Sequence, residues 1–172
     1  MVASLRAEGR RWIRRENSAV ILLVLLRLVV VVLVVLDVPH FRSAAAGRFH
    51  AIATTPGVPY RDFTIEYPIG ELAIIEIVGS SSLAAARAIL AGLAFAADLM
   101  TFAALFWGWG IGVARRYLVV GTPLLIFIYR RSDLVSVALA AFAMALIYRN
   151  RDRKSTRLNS SHSRASRMPS SA

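Results

Sequence analysis

Long apolar runs broken by isolated charges dominate this chain, and their lengths predict helices that cross a membrane. Residues 18–36 form a nineteen-residue run interrupted only by Arg27, long enough to span. A cleaved signal peptide is the alternative. The run exceeds a usual signal core, however, and no small-residue cleavage site follows promptly, so a retained helix is expected. Residues 83–107 predict a second span that carries Arg87 and Asp98 inside it. Two shorter segments follow, Tyr117 to Tyr129 and Leu134 to Tyr148, separated by Arg130-Arg-Ser-Asp133. Between the first two spans, Ile69 to Val78 is too short to cross and too apolar for an ordinary loop, despite Glu71 and Glu76. It predicts a re-entrant or interfacial helix, ended by Gly79-Ser-Ser-Ser82, which can cap the next one. The expected fold is an all-α membrane protein, a polytopic helical bundle of about four spans plus that re-entrant piece.

Composition agrees, since 57% of residues are apolar and the mean hydropathy is +0.58. Cysteine is absent, which excludes disulfides and thiolate metal sites. The net charge of +11 is not a nucleic-acid footprint, because the arginines flank apolar segments or lie in the C-terminal tail. Residues 1–17 form a basic lead with Arg6, Arg10, Arg11, Arg14 and Arg15, and the positive-inside rule places it in the cytoplasm. Asp37 then emerges on the external face, and a loop extends to about Pro68. The Trp107-Gly-Trp-Gly110 string suits the returning interface, with Arg115-Arg116 in a cytoplasmic turn. Counting spans leaves Arg130 and Arg131 outside, against the same rule. Two readings remain open: a shallow hairpin formed by the last two segments, or arginines that serve an anionic ligand or lipid headgroup.

Residues 152–172 differ in kind from the rest. They hold seven serines and the single lysine of the chain, Lys154, and lack Val, Ile, Phe, Tyr and Trp. The string Asp152-Arg-Lys-Ser-Thr-Arg-Leu-Asn-Ser-Ser-His162 is similar to the translation of a sequencing-library adapter. The expected organisation is therefore a basic lead over 1–17, a membrane domain over 18–151 and a non-native, disordered tail over 152–172; a native serine-rich tail is the alternative. Without the tail, sixteen arginines against nine acidic residues leave +7.

Chemistry concentrates between the first two spans, where Asp37, Asp62 and Glu66 supply carboxylates and Arg42, Arg48 and Arg61 supply guanidinium groups. A carboxylate can take the proton of an attacking hydroxyl, and an arginine can offset charge developing on a departing phosphate. Tyr60 and Tyr67 can stack on a sugar face. Each also has a plain role: turn former, ion-pair partner or interface anchor. His40 and His50 have no spacing that defines a metal site, and no glycine-rich phosphate loop is present.

The stretch Val58-Pro-Tyr-Arg-Asp-Phe-Thr-Ile-Glu-Tyr-Pro-Ile-Gly-Glu-Leu72 resembles the first external loop of polyprenyl-phosphate-dependent, C-type membrane glycosyltransferases, in particular glycosyltransferase family 87, a bacterial mannosyltransferase-like group. Arg116-Tyr-Leu-Val-Val-Gly-Thr-Pro-Leu-Leu125 and Tyr129-Arg-Arg-Ser-Asp-Leu134 are similar to the region that follows in that family. Ile69 stands where a second proline is usual, and Asp37 falls where the family's loop aspartate is expected. The resemblance covers roughly residues 18–150, the front third of a typical member. It implies the N-terminal portion of an enzyme in a bacterial inner membrane, moving a sugar such as mannose from a polyprenyl-phosphate carrier to a glycolipid or glycan acceptor. No further cofactor is implied, and the fragment is expected to be inactive alone. Asp37 and Asp62 are the candidate bases; Arg61, Glu66, Tyr60, Tyr67 and Arg48 are the candidate substrate contacts, with Glu66 holding the acceptor or orienting Arg61. A small polytopic scaffold or transporter fragment is the non-enzymatic alternative.

One long-range pairing also follows from the pattern. Arg27 and Asp98 each lie nine residues from the same-side end of their spans, so at 1.5 Å per residue both sit about 13 Å deep. An unpaired arginine at such a depth costs about 3 kcal/mol, and these two predict an ion pair inside the bundle; the alternative is that Arg27 faces a lipid phosphate.

Overall fold

The computed structural model describes residues 2–67, 69–79 and 82–165, with side chains from 18 to 150 except those of 68, 69, 80 and 81. Among the described residues seven α-helices run in the order α1 (Val2–Val35), α2 (Ala44–Thr54), α3 (Leu72–Gly79), α4 (Leu83–Trp109), α5 (Ile111–Gly121), α6 (Leu125–Ile128) and α7 (Asp133–Ala165). Among the described residues four segments are long and apolar enough to cross a membrane: Ser18–Val35, Leu83–Trp109, Ile111–Ile128 and Asp133–Asn150. The protein is an all-α polytopic bundle, with α2 and α3 as short helices between the first and second spans. The basic lead continues α1, though its side chains lie outside those described. The boundary expected at Arg151 falls inside α7, and the side chains beyond it lie outside the described set too.

The third span begins earlier than the hydropathy suggested. Gly110, at φ 88°, ends α4 and opens α5 at once, so Arg115 and Arg116 lie on the first turns of α5 rather than in a separate turn. Gly121-Thr-Pro123 then breaks the helix. Proline has no N–H to donate, and the chain tightens into a 3-10 turn, Thr122–Leu124, before α6 resumes. The backbone N–H of Thr122 moves to Val119 O. Leu118 O is thereby released to accept from Thr122 Oγ1 at 2.8 Å and from Arg27 Nη2 at 2.9 Å.

That released carbonyl completes the polar centre of the bundle. Arg27, fully buried, donates from Nε to Asp98 Oδ2 at 2.8 Å, and from Nη1 to Leu23 O at 3.2 Å. Tyr117 donates to Asp98 Oδ1 at 2.5 Å, and Tyr129 donates to Oδ2. The expected ion pair is present, and the first three membrane segments and the turn after the third meet in it. With no water to solvate charges at that depth, nearly complete internal pairing is what lets the two ions remain there.

Apolar packing surrounds this centre. Val30 and Val34 of α1 pack with Ala91 and Ala94 of α4 and with Leu125 and Tyr129. Small residues let α7 approach α4 closely: Ala97, Ala104, Ala138 and Ala145 are buried, and a Cβ on Gly108 would stand 3.1 Å from that of Ala145. At the α4–α5 end, Trp107 stacks on Phe142, Trp109 tilts against Tyr148 at 5.2 Å, and Arg149 lies 5.0 Å over the Trp107 ring. This is the arrangement an interfacial aromatic belt takes.

At the other end, Phe49 of α2 packs with Ile75 and Val78 of α3 and with Ala86 and Leu90 of α4. The helix α2 lies within what the pattern predicted as loop. Its start was readable in Ser43, whose Oγ caps Ala46 N at 3.3 Å. Gly79 brings α2 and α3 into contact, since a Cβ there would meet Phe49 O at 2.3 Å. His50 Nδ1 lies 2.9 Å from Gly79 O, joining the same two helices.

Candidate functional site on the loop face

Helix α1 ends in a Schellman turn: Val38 N donates to Leu33 O at 3.2 Å, and Asp37 N to Val34 O at 3.2 Å. Asp37 occupies the left-handed position of that turn, at φ 58°, where glycine is usual. Aspartate is among the few side chains that adopt this backbone readily, so the turn can present a carboxylate here. Its Oδ2 takes Arg87 Nη1, from the second turn of α4, and Arg42 Nε at 3.7 Å. The hydrogen bond from Arg87 holds the Asp37 carboxyl below its ordinary value, so it stays ionised.

Asp62 is placed differently. Its Oδ1 accepts from Arg61 Nε at 2.9 Å, while Oδ2 accepts from Arg61 Nη2 at 3.0 Å and from Val58 N at 2.7 Å. The side chain closes a turn in which Asp62 N also returns to Val58 O at 2.9 Å. The Arg61 hydrogen bond, then that from Val58, lower its pKa. Both oxygens are thus committed, leaving Asp62 shaped as a turn staple. Tyr60, at φ 65° in that turn, sends its hydroxyl to Tyr67 O. A bulky residue rarely adopts such a backbone, and here the hydroxyl contact ties the turn to the end of the motif.

The motif is a turn rather than a helix, so Glu66 does not reach Arg61. It pairs instead with Arg48 Nη1 at 3.3 Å, both side chains exposed. Tyr67 packs edge-on against the buried Phe49 at 5.2 Å. Arg48 and Tyr67 help line a cleft of about 310 Å³ whose other charged walls are Arg130 and Arg131, from the turn between α6 and α7. Ser43 Oγ donates to Arg130 O at 2.9 Å, fixing that turn against the start of α2.

The structure therefore divides the predicted residues into three groups: Asp37 with Arg42 and Arg87, the Arg61–Asp62 turn with Tyr60, and the Arg48–Glu66 pair with Tyr67. Among the described residues no hydrogen bond or ion pair joins Asp37 to Asp62. Arg87 was visible as a charge inside a predicted span, but its partner was not. Residues from different elements meet only on folding. No group of three metal-ligating side chains occurs among the described residues. Comparison with protein-family models, curated proteins and solved structures gives no match.

Proposed function

We propose that this chain is part of an integral membrane glycosyltransferase whose loop face handles a polyprenyl-phosphate sugar, with its N-terminus in the cytoplasm of a bacterial cell. The observation that carries this reading is Asp37, an ionised carboxylate at the end of a span, anchored by Arg87 and still partly exposed. In this reading an acceptor hydroxyl gives its proton to Asp37 Oδ1 as its oxygen forms a bond to the anomeric carbon. The bond from that carbon to the phosphate oxygen breaks, and the phosphate leaves with the electron pair. Arg42, exposed and 3.7 Å from Asp37, is placed to meet the growing negative charge. Asp62 supports the loop instead of taking the proton.

The test uses membranes containing the complete enzyme of which this chain is the proposed N-terminal portion, with a radiolabelled polyprenyl-phosphate mannose. Wild type binds the donor and transfers label to acceptor, whereas Asp37→Asn binds donor and transfers at least a hundredfold less. Asparagine keeps the shape and tolerates the left-handed backbone. Equal transfer by wild type and Asp37→Asn would falsify the assignment, and absence of donor binding by wild type would remove the enzyme class.

A further inference from the structure

The cleft between α2 and the α6–α7 turn has a composition that neither the loop motif nor the proposed transfer explains. Three arginines, Arg48, Arg130 and Arg131, line it together with Tyr67. Two carboxylates offset them: Glu66 pairs with Arg48, and Asp133 lies 3.3 Å from Arg131. Arg130 has no carboxylate partner among the described residues. Its Nε is shielded from solvent and makes no hydrogen bond. A guanidinium held this way is a donor lacking an acceptor, and its planar fork matches two oxygens of a phosphate.

The cleft also has an apolar continuation. Phe127 and Arg131 are shared with a second groove of about 250 Å³, where Leu124, Ile128, Leu134 and Val137 supply apolar walls and Asp133, paired with Arg131, lies at the charged end. The groove's apolar wall residues belong to segments long and apolar enough to cross a membrane, and Leu124, Phe127 and Val137 among them are exposed. A guanidinium-lined pocket at the surface that runs into a hydrocarbon-lined groove fits an amphiphile with an anionic head. It also accounts for two arginines in a short turn on the face opposite the basic lead, against the usual orientation preference.

We propose that this cleft is a binding site for a lipid-borne phosphate: the phosphate lies between Arg130, Arg131 and Arg48, and the first methylenes of its chain lie along Phe127 in the groove. The site stands whether or not Asp37 performs transfer. The same head chemistry is offered by a phospholipid and by a prenyl phosphate, and the experiment separates them.

Delipidated full-length protein in detergent is titrated with farnesyl phosphate, dioctanoyl phosphatidylglycerol, dioctanoyl phosphatidylcholine and inorganic phosphate, with binding read by native mass spectrometry. At least one of the two anionic lipids binds at least tenfold more tightly than phosphatidylcholine or inorganic phosphate, and the tighter of the pair identifies the source. Replacing both cleft arginines, R130Q with R131Q, lowers that affinity at least tenfold; R116Q, which removes a charge at the opposite end of the bundle, leaves it unchanged. Phenylglyoxal footprinting of wild type gives a readout independent of variant folding: the anionic lipid protects Arg130 and Arg131 severalfold and does not protect Arg116. Equal binding of phosphatidylcholine or of free phosphate overturns the proposal, as does equal modification of Arg130 and Arg131 with and without lipid.

Discussion

Arg27 and Asp98, separated by 71 residues, meet with Nε and Oδ2 2.8 Å apart, almost wholly shielded from solvent. The contact joins α1 to α4 and, through Tyr117, Tyr129 and Leu118 O, reaches the third span and the turn after it. Removing one partner leaves a buried charge without its counterion, which costs about 3–5 kcal/mol. Arg27→Leu and Asp98→Leu are each expected to destabilise the protein by that order in detergent-induced unfolding. The double variant should lose less than the sum of the two. Additive losses would show that the ions do not act as a pair. Tyr129→Phe, which removes one donor and keeps the ring, should cost about 1 kcal/mol.

Gly79 holds α3 against α2 through the absence of a side chain. In Gly79→Ala the new methyl group would meet the backbone oxygen of Phe49 at 2.3 Å and the Cβ of Ala53 at 2.6 Å, so the helices must separate. The expected cost is about 1–3 kcal/mol. Hydrogen exchange should show it locally, with faster exchange in α2 and α3 and little change in α7. Unchanged exchange in α2 and α3 would count against this account of the contact.

Asp37 and Asp62 make the loop face sensitive to acid in a defined direction. Arg87 lowers the pKa of Asp37 and Arg61 that of Asp62, each from an ordinary value of 3.8. Folding therefore gains from these groups while both are ionised, above the ordinary value. The gain is lost as the pH falls from there through the lower folded-state pKa. The amide of Val58, which donates to Asp62 Oδ2 at 2.7 Å, reports this directly. Its NMR shift should titrate with a midpoint below 3.8. The transition should vanish in Asp62→Asn, and a midpoint above that value in wild type would reverse the sign argued here.

Orientation can be tested because the chain contains no cysteine, so a single introduced thiol is a unique label. Thr54 and Asn150 are exposed at opposite ends of the bundle. In intact cells a membrane-impermeant maleimide is expected to label Thr54→Cys and to leave Asn150→Cys unlabelled until the membrane is opened. The opposite pattern would place the basic lead outside.

Much of the architecture was legible in the order of residues. Hydrocarbon runs of spanning length leave a chain few alternatives in a membrane, because backbone groups there must pair internally; four spans followed from that alone. The matched depths of Arg27 and Asp98 foretold their contact, since two opposite charges on antiparallel spans have few other partners. The tertiary structure decided what depends on meeting across elements or on local backbone geometry. Pro123 lacks an N–H in any fold, but only the folded chain shows that the carbonyl released beside it binds Arg27. Asp37 and Asp62 looked alike as loop carboxylates. Folding paired one, still partly exposed, with Arg87 of another element and closed the other into its own turn. The arginine cleft arises because Ser43 fixes the α6–α7 turn against the start of α2, bringing Arg48 and Arg130 to one cavity across a separation that no local pattern encodes.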